Sequence, residues 1–357
     1  MHSRALDGLR GLSAQVVFVS HLVAFLTPLP SAIAQHALGW SARAAVIVFF
    51  CLSGFVITSS IVRSTRAGSF DLLRYAVRRS ARIYPPYLLT IALCWIVWLL
   101  LSKPSLPSLP SAIAELARAM AFFFLNRDVV TQIDGPLWSL RLEVICYVVA
   151  GLGAYWATHK ANAPVWSGLA LGLGLVVAVA TPFVFTFGLS AFAWFGLGAL
   201  ASTGYLKALV PFSLAGAVAL FLAGIPLTSD GPLAIGATDM VGAMIYQFVF
   251  AAFLAAYLVE LSGADRGHPL GRLERLGGFS YTLYLVHMPL VLFAVSMADR
   301  LQILGPGRIG IAVVVLLAVE LLSWLAARIV ERPAEFGGAM LRRLERFGWV
   351  EPERKAT

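Results

Sequence analysis

Charge is scarce in this chain of 357 residues. Only 13% are Asp, Glu, Lys or Arg, where an average soluble domain carries about 25%. From Ala161 to Leu206 there is no charged side chain at all. With 59% hydrophobic residues and a mean hydropathy of +0.83, the composition excludes a monomeric globule in water and suits a bilayer. Cysteine is almost missing as well. Cys51, Cys94 and Cys146 are an odd number of thiols within apolar runs, so they offer neither a disulfide framework nor metal-ligand spacing, and they read as small packing residues. No metal is expected.

What is present is long apolar runs. A crossing helix needs about 20 predominantly apolar residues, and residues 11–28, 44–62, 86–101, 137–156, 165–186, 189–205, 209–225, 238–260, 279–297 and 309–328 each qualify as a candidate. Only helices that satisfy their own backbone tolerate the lipid interior away from a closed barrel, so the expected fold is an all-α polytopic membrane bundle of about ten spans. Most of the 27 Lys and Arg fall on one side if both termini are cytosolic, among them Arg63, Arg66, Arg74, Arg78, Arg272, Arg275, Arg342, Arg343 and Arg346. The positive-inside rule selects that orientation. The net charge of +9 is then topology, and nucleic acid is excluded as a partner. Ala32-Ile33-Ala34 resembles a signal-peptidase site, but Gln15, Ser20 and His21 interrupt the preceding run, which favours a retained first helix. A membrane domain over 1–335 and a basic cytosolic tail over 336–357 complete the division. Two local expectations follow from turn-forming residues. The double proline Pro85-Pro86 should break a basic surface helix before span three, and 126–135 should be a polar outward segment.

Ionisable side chains inside spans cost roughly 2.5 to 3.5 kcal/mol at mid-helix, so each asks for a reason. His21 follows Arg10 by eleven residues, three turns plus about 20°; both occupy one helix face, roughly 16 Å apart along the axis. A base within the membrane above an arginine suits a donor that is anionic at one end and reactive at the other; the alternative is a histidine hydrogen-bonded across a helix interface. Arg79 and Arg82 share one side of a turn and suit phosphate, or simply obey topology. Ser139, Glu143 and Tyr147 stack at intervals of four. The Glu143 carboxylate could hold an acceptor hydroxyl, orient a histidine or pair with a neighbouring helix. Tyr281, Tyr284 and His287 recur every three residues, either as a site or as packing. Glu320 reads as a buried polar contact.

These motifs together resemble the acyltransferase-3 family of membrane acyltransferases, over nearly the whole chain. LDGLRGLSAQVVFVSH is similar to its first-span Arg-x10-His pattern, here Arg10 and His21. FFCLSGFVI with Ser53 is similar to its Ser-Gly-Phe signature, and RSARIYP to its Arg-x-x-Arg element at Arg79 and Arg82. GPLWSLRLEVICY resembles the Trp-Ser-Leu-x-x-Glu block at Trp138, Ser139 and Glu143. SYTLYLVHMPL resembles the Tyr-x-x-His block at Tyr284 and His287, and VERPAEF the exit from the last span.

The resemblance implies acyl-CoA, often acetyl-CoA, as cytosolic donor and a carbohydrate or glycoconjugate hydroxyl as acceptor, in the bacterial inner membrane amid membrane lipid. It is expected to fall in the stand-alone branch without a hydrolase-like C-terminal domain. By the same resemblance His21 is essential, and the mechanism expected on that basis makes it catalytic with Glu143 orienting its imidazole or the acceptor. Arg10, Arg79 and Arg82 hold the donor, and Ser53, Trp138, Ser139, Tyr284 and His287 line the pocket. His21 acts either as general base on the hydroxyl or through an acyl-histidine intermediate. A flippase for a lipid-linked saccharide is the competing class, and the lack of an internal repeat counts against it.

Overall fold

In a computed structural model, residues 3–27, 31–66, 70–101, 109–122, 128–158, 182–227, 237–264 and 267–350 are described. Every regular element among them is helical. The helices are α1 (Arg4–Leu26), α2 (Ala32–Arg66), α3 (Leu72–Leu101), α4 (Leu109–Met120), α5 (Val129–Ile133), α6 (Leu137–Thr158), α7 (Pro182–Ser202), α8 (Ser213–Leu227), α9 (Ala237–Gly263), α10 (Glu274–Gly277), α11 (Ser280–Arg300), α12 (Pro306–Val330) and α13 (Pro333–Arg346). Eight described helices are long and apolar enough to cross a membrane. At 1.5 Å per residue, the 22 residues of α6 span about 33 Å. Nine of the ten expected spans therefore coincide with a described helix, although the stretch at 189–205, which α7 covers as far as Ser202, counts only as a shorter apolar helix over Ser190–Ser202. The tenth, 165–186, lies almost wholly outside the described residues.

The bundle is held together by close backbone approach as much as by side-chain interdigitation. A Cβ on Gly54 of α2 would overlap the Phe195 carbonyl of α7, and one on Gly198 of α7 would overlap the Cys51 carbonyl of α2. The Ser-Gly-Phe signature is thus a helix-crossing device, in which a missing side chain lets two backbones touch where lipid supplies no hydrophobic drive. Gly196, one residue from the seam, faces open space. Gly198→Ala is expected to lower thermal stability by about 1 to 3 kcal/mol, whereas Gly196→Ala is neutral or gains a few tenths from helix propensity. Thermal unfolding of both variants in detergent, followed by circular dichroism, checks the contrast. Equal effects would remove the seam as the reason for glycine.

The first helix is clamped at its N-terminal end in the same way. Cβ atoms on Gly8 and Gly11 would strike the backbone of Leu270 and of Leu276-Gly277. The opening LDGLRGL therefore seats the short 269–277 segment that leads into α11. Glu331, at the end of α12, accepts from the Thr282 amide at 2.6 Å and so satisfies a donor in the first turn of α11. That gives the VERPAEF motif a structural role. The outward stripe Val314, Leu317, Leu321 and Trp324 on α12 is 41 to 65% exposed, as a lipid-facing surface requires.

One local expectation is corrected. α3 runs unbroken from Leu72 to Leu101 with Pro85 and Pro86 inside it, so the arginine segment and the third span are one helix. Neighbouring helices and local backbone adjustment compensate such prolines in spanning helices. The segment expected on the outer side is more packed than its polarity suggests. Within 126–135 the described part is not an exposed loop. It holds α5, with Asp128, Val129, Val130, Ile133 and Asp134 buried. Both Asp134 carboxylate oxygens are buried without a hydrogen-bond partner, and burial pushes this carboxyl well above the usual carboxylate range. The described part of the tail makes contacts of its own. α13 packs on the start of α3 through Val77, Leu341 and Val350 and an Arg74–Glu345 ion pair at 3.0 Å.

Candidate active site

A cavity of about 170 Å³ opens between α1, α2, α3, α6 and α11. Of the residues singled out in the sequence, Arg10, Ser53, Arg79, Arg82, Ser139, Glu143 and Tyr284 line it. Trp138 does not; it packs against the apolar core from α6. His21 and His287 do not line it either.

The arginines play different parts. Arg10 is committed to the protein: its Nη2 pairs with Asp7 at 2.8 Å and donates to the Gly277 carbonyl at 3.0 Å, while Nε donates to Ser280 Oγ at 3.2 Å. It staples α1 to the start of α11. Arg79 lies over the rings of Tyr75 and Tyr147, at 5.5 and 5.9 Å, and its buried Nε has no hydrogen-bond partner. Arg82 makes no hydrogen bond or ion pair among the described residues. A guanidinium with donors to spare at the wall of a cavity has the chemistry to hold an anion.

Glu143 is anchored within the same cavity. Its Oε1 accepts from Ser53 Oγ at 2.7 Å and from the Tyr147 hydroxyl, and Ser53 and Tyr147 themselves lie 3.4 Å apart. One of the roles considered for it, orienting the imidazole of His21, does not match this arrangement, because the ring partner of His21 is another residue. Tyr281 also lines the cavity, and its hydroxyl is buried without a partner. Formal charges on the lining are Arg10, Arg79 and Arg82 against Asp7 and Glu143, an excess of positive charge.

Towards the other end, Ser139 and the Tyr284 hydroxyl hydrogen-bond at 2.6 Å, and Phe49 meets Tyr284 edge to face at 5.3 Å. These rings form the floor. Tyr284 lies 5.9 Å from the ring of His287, whose Nε2 is 3.0 Å from His21 Nδ1. The imidazole of His21 is therefore one side-chain layer beyond the cavity instead of in its wall. His21 is half-buried and His287 fully buried. Among the described residues, no three His, Cys, Asp or Glu side chains come together as metal ligands would.

The sequence pattern missed several lining residues. Tyr147 stood on the Ser139–Glu143 face and Tyr281 on the Tyr284–His287 face, so their spacing carried the signal. Ser280, Asp7 and Phe49 had none.

The family model described as "Acyltransferase domain" matches residues 3–328. This chain belongs to the acyltransferase-3 family. Its family and apolar helices make it a multi-pass membrane protein. One relative is an O-acetyl transferase of Shigella phage Sf6, 28% identical over 43% of this chain and 46% of that protein. Another is Protein 2 in picA locus of Rhizobium radiobacter, 28% identical over 43% of this chain and 84% of that protein. The match thus spans about half the length of the phage enzyme. No solved structure matches.

Proposed function

We propose that this acyltransferase moves an acetyl group from acetyl-CoA to a hydroxyl of a glycan or glycosylated small molecule. The observation that carries the reading is the cavity itself. Two arginines with unspent donors, Arg79 and Arg82, stand at one end, and an imidazole pair lies one layer past the other. A donor of matching polarity has anionic phosphates at one end and a thioester at the end of a long flexible arm. The orphaned Arg79 Nε and Tyr281 hydroxyl are groups such a ligand would satisfy, since a buried donor left unpaired costs about 1 to 3 kcal/mol. Arg10 shapes the wall in this reading and holds the α1–α11 angle. The basic ends of α2 and α3 support a cytosolic mouth and cytosolic termini, by the positive-inside rule.

Phe49 and Tyr284 must swing aside for the thioester to reach His21. The imidazole then takes the proton of the acceptor hydroxyl as that oxygen attacks the thioester carbonyl, a contribution of typically 10²- to 10⁴-fold for a positioned base. Attack by the imidazole itself, with an acyl-histidine formed and then discharged, uses the same atoms. Glu143, already holding Ser53 and Tyr147, presents a second carboxylate oxygen to a ligand in the cavity. The name of the phage relative, an O-acetyl transferase, supports acetyl and oxygen as the group and the acceptor atom. No observation favours the flippase reading.

Mass spectrometry of surface glycans from cells with and without the protein tests the acceptor class. An acetyl ester is expected that disappears on deletion and on mild base treatment. Identical glycan spectra in both strains would overturn the glycan assignment.

A further inference from the structure

His21 and His287 lie 266 residues apart in sequence and on two different helices, yet their rings meet through nitrogen. The ring planes differ by only 6°, with centroids 5.2 Å apart. That separation is close to the nitrogen–nitrogen distance plus the two ring radii, so the imidazoles lie edge to edge in nearly one plane, as an N–H···N bond requires. His287 is wedged there by Phe18, whose ring is 5.9 Å away at 61°, and by Tyr284.

The proton positions follow from a third atom. His287 Nδ1 is 3.1 Å from the Leu283 carbonyl oxygen, and a carbonyl can only accept. Nδ1 of His287 therefore carries hydrogen. A fully buried imidazole with no carboxylate hydrogen-bonded to it is neutral, and a neutral imidazole has one N–H, which leaves Nε2 as a bare acceptor. The Nδ1 of His21 must then be the donor in the pair. A neutral His21 holding its proton on Nδ1 has its lone pair on Nε2. We infer that His287 is a positioning residue that fixes the tautomer of His21, so that Nε2 is the atom which receives the acceptor proton.

This inference rests on the acyl-transfer reading for its consequence but not for its geometry. In the reaction the hydroxyl proton passes to His21 Nε2 while the oxygen bonds to the thioester carbon. The carbon–sulfur bond breaks, and the same proton goes from Nε2 to the departing thiolate. His287 keeps its own proton throughout, and its Nε2 stabilises the transient imidazolium by accepting from Nδ1. Where a carboxylate fixes a catalytic tautomer this way, disturbing it costs about 10⁴-fold. A neutral imidazole is a weaker acceptor, so a loss of about 10²-fold is expected here.

The test uses the full chain in lipid nanodiscs with ¹⁵N-labelled histidine. Solid-state NMR should show two neutral rings protonated on Nδ1, assigned by their loss in His21→Asn and His287→Gln. In His287→Leu the His21 ring should shift towards the Nε2-protonated form, and kcat for acetyl transfer should fall about 10²-fold with the donor KM unchanged. His287→Gln puts an amide oxygen near the place of Nε2 and should recover most of the rate. An Nε2-protonated His21 in the unsubstituted protein, or full turnover in His287→Leu, would overturn the assignment. If the unsubstituted protein transfers no acetyl while both Nδ1 signals are present, the functional reading falls and the tautomer stands.

Discussion

His21→Ala is expected to insert and fold, to bind donor as before, and to lose acetyl transfer by 10²- to 10⁴-fold. The binding half of this expectation comes from the geometry. His21 lies outside the cavity that contains Arg79 and Arg82, so removing its ring takes nothing from a phosphate contact. The substitution does strand His287 Nε2, a buried acceptor whose partner is gone, which costs roughly 1 to 3 kcal/mol of stability. His21→Asn controls for that cost, because the asparagine amide can donate to His287 in place of Nδ1 while offering no base. Both variants should be inactive, and Asn should be the more stable. Initial rates with labelled acetyl-CoA, alongside thermal unfolding, separate the two effects. A fully active asparagine variant would end the base assignment.

Arg82→Ala is expected to raise the donor KM about 10- to 100-fold with a much smaller change in kcat, since a charge-assisted hydrogen bond is worth about 1.5 to 3 kcal/mol. Arg79→Ala should do the same and also destabilise the protein, because its guanidinium lies over Tyr75 and Tyr147. Lysine at either position should recover only part of the affinity, having charge without the planar fork. The KM of the unsubstituted protein should rise with ionic strength, as screening weakens half-exposed charge pairs. Arg10→Ala belongs to a different class. It breaks contacts with Asp7, Gly277 and Ser280, so its first effect is on stability. Donor titrations across the five variants check the division, and unchanged KM values in the Arg79 and Arg82 variants would return those residues to topology.

The helical period was enough to place Arg10 and His21 on one face. In the structure both meet the same helix, Arg10 at Ser280 and His21 at His287, which also shows α1 and α11 running in the same direction. The period likewise placed Ser139, Glu143 and Tyr147 in one line. What it could not supply was the partner across the gap. Ser53 and Glu143 are 90 residues apart, and nothing local to either marks the other. The histidines were legible as two separate polar residues in spans; their bond depends on how α1 packs on α11. The commitment of Arg10 was hidden for the same reason, because Gly277 contributes a backbone carbonyl and leaves no trace in residue type. Pro85 and Pro86 misled in the opposite sense, since a rule learned from helices in water overstates the break that a packed spanning helix must accept. The polarity of 126–135 gave no sign that Asp128 and Asp134 are buried.

The most direct test of the central claim is acetyl transfer by the purified protein in proteoliposomes. Labelled acetyl-CoA would be supplied only to the face bearing Arg79 and Arg82, together with a glycan acceptor. The expected result is base-labile label on acceptor hydroxyls, with free coenzyme A released in equal amount and neither product formed by His21→Asn. Acceptor that crosses the membrane unlabelled while the donor stays intact would contradict it.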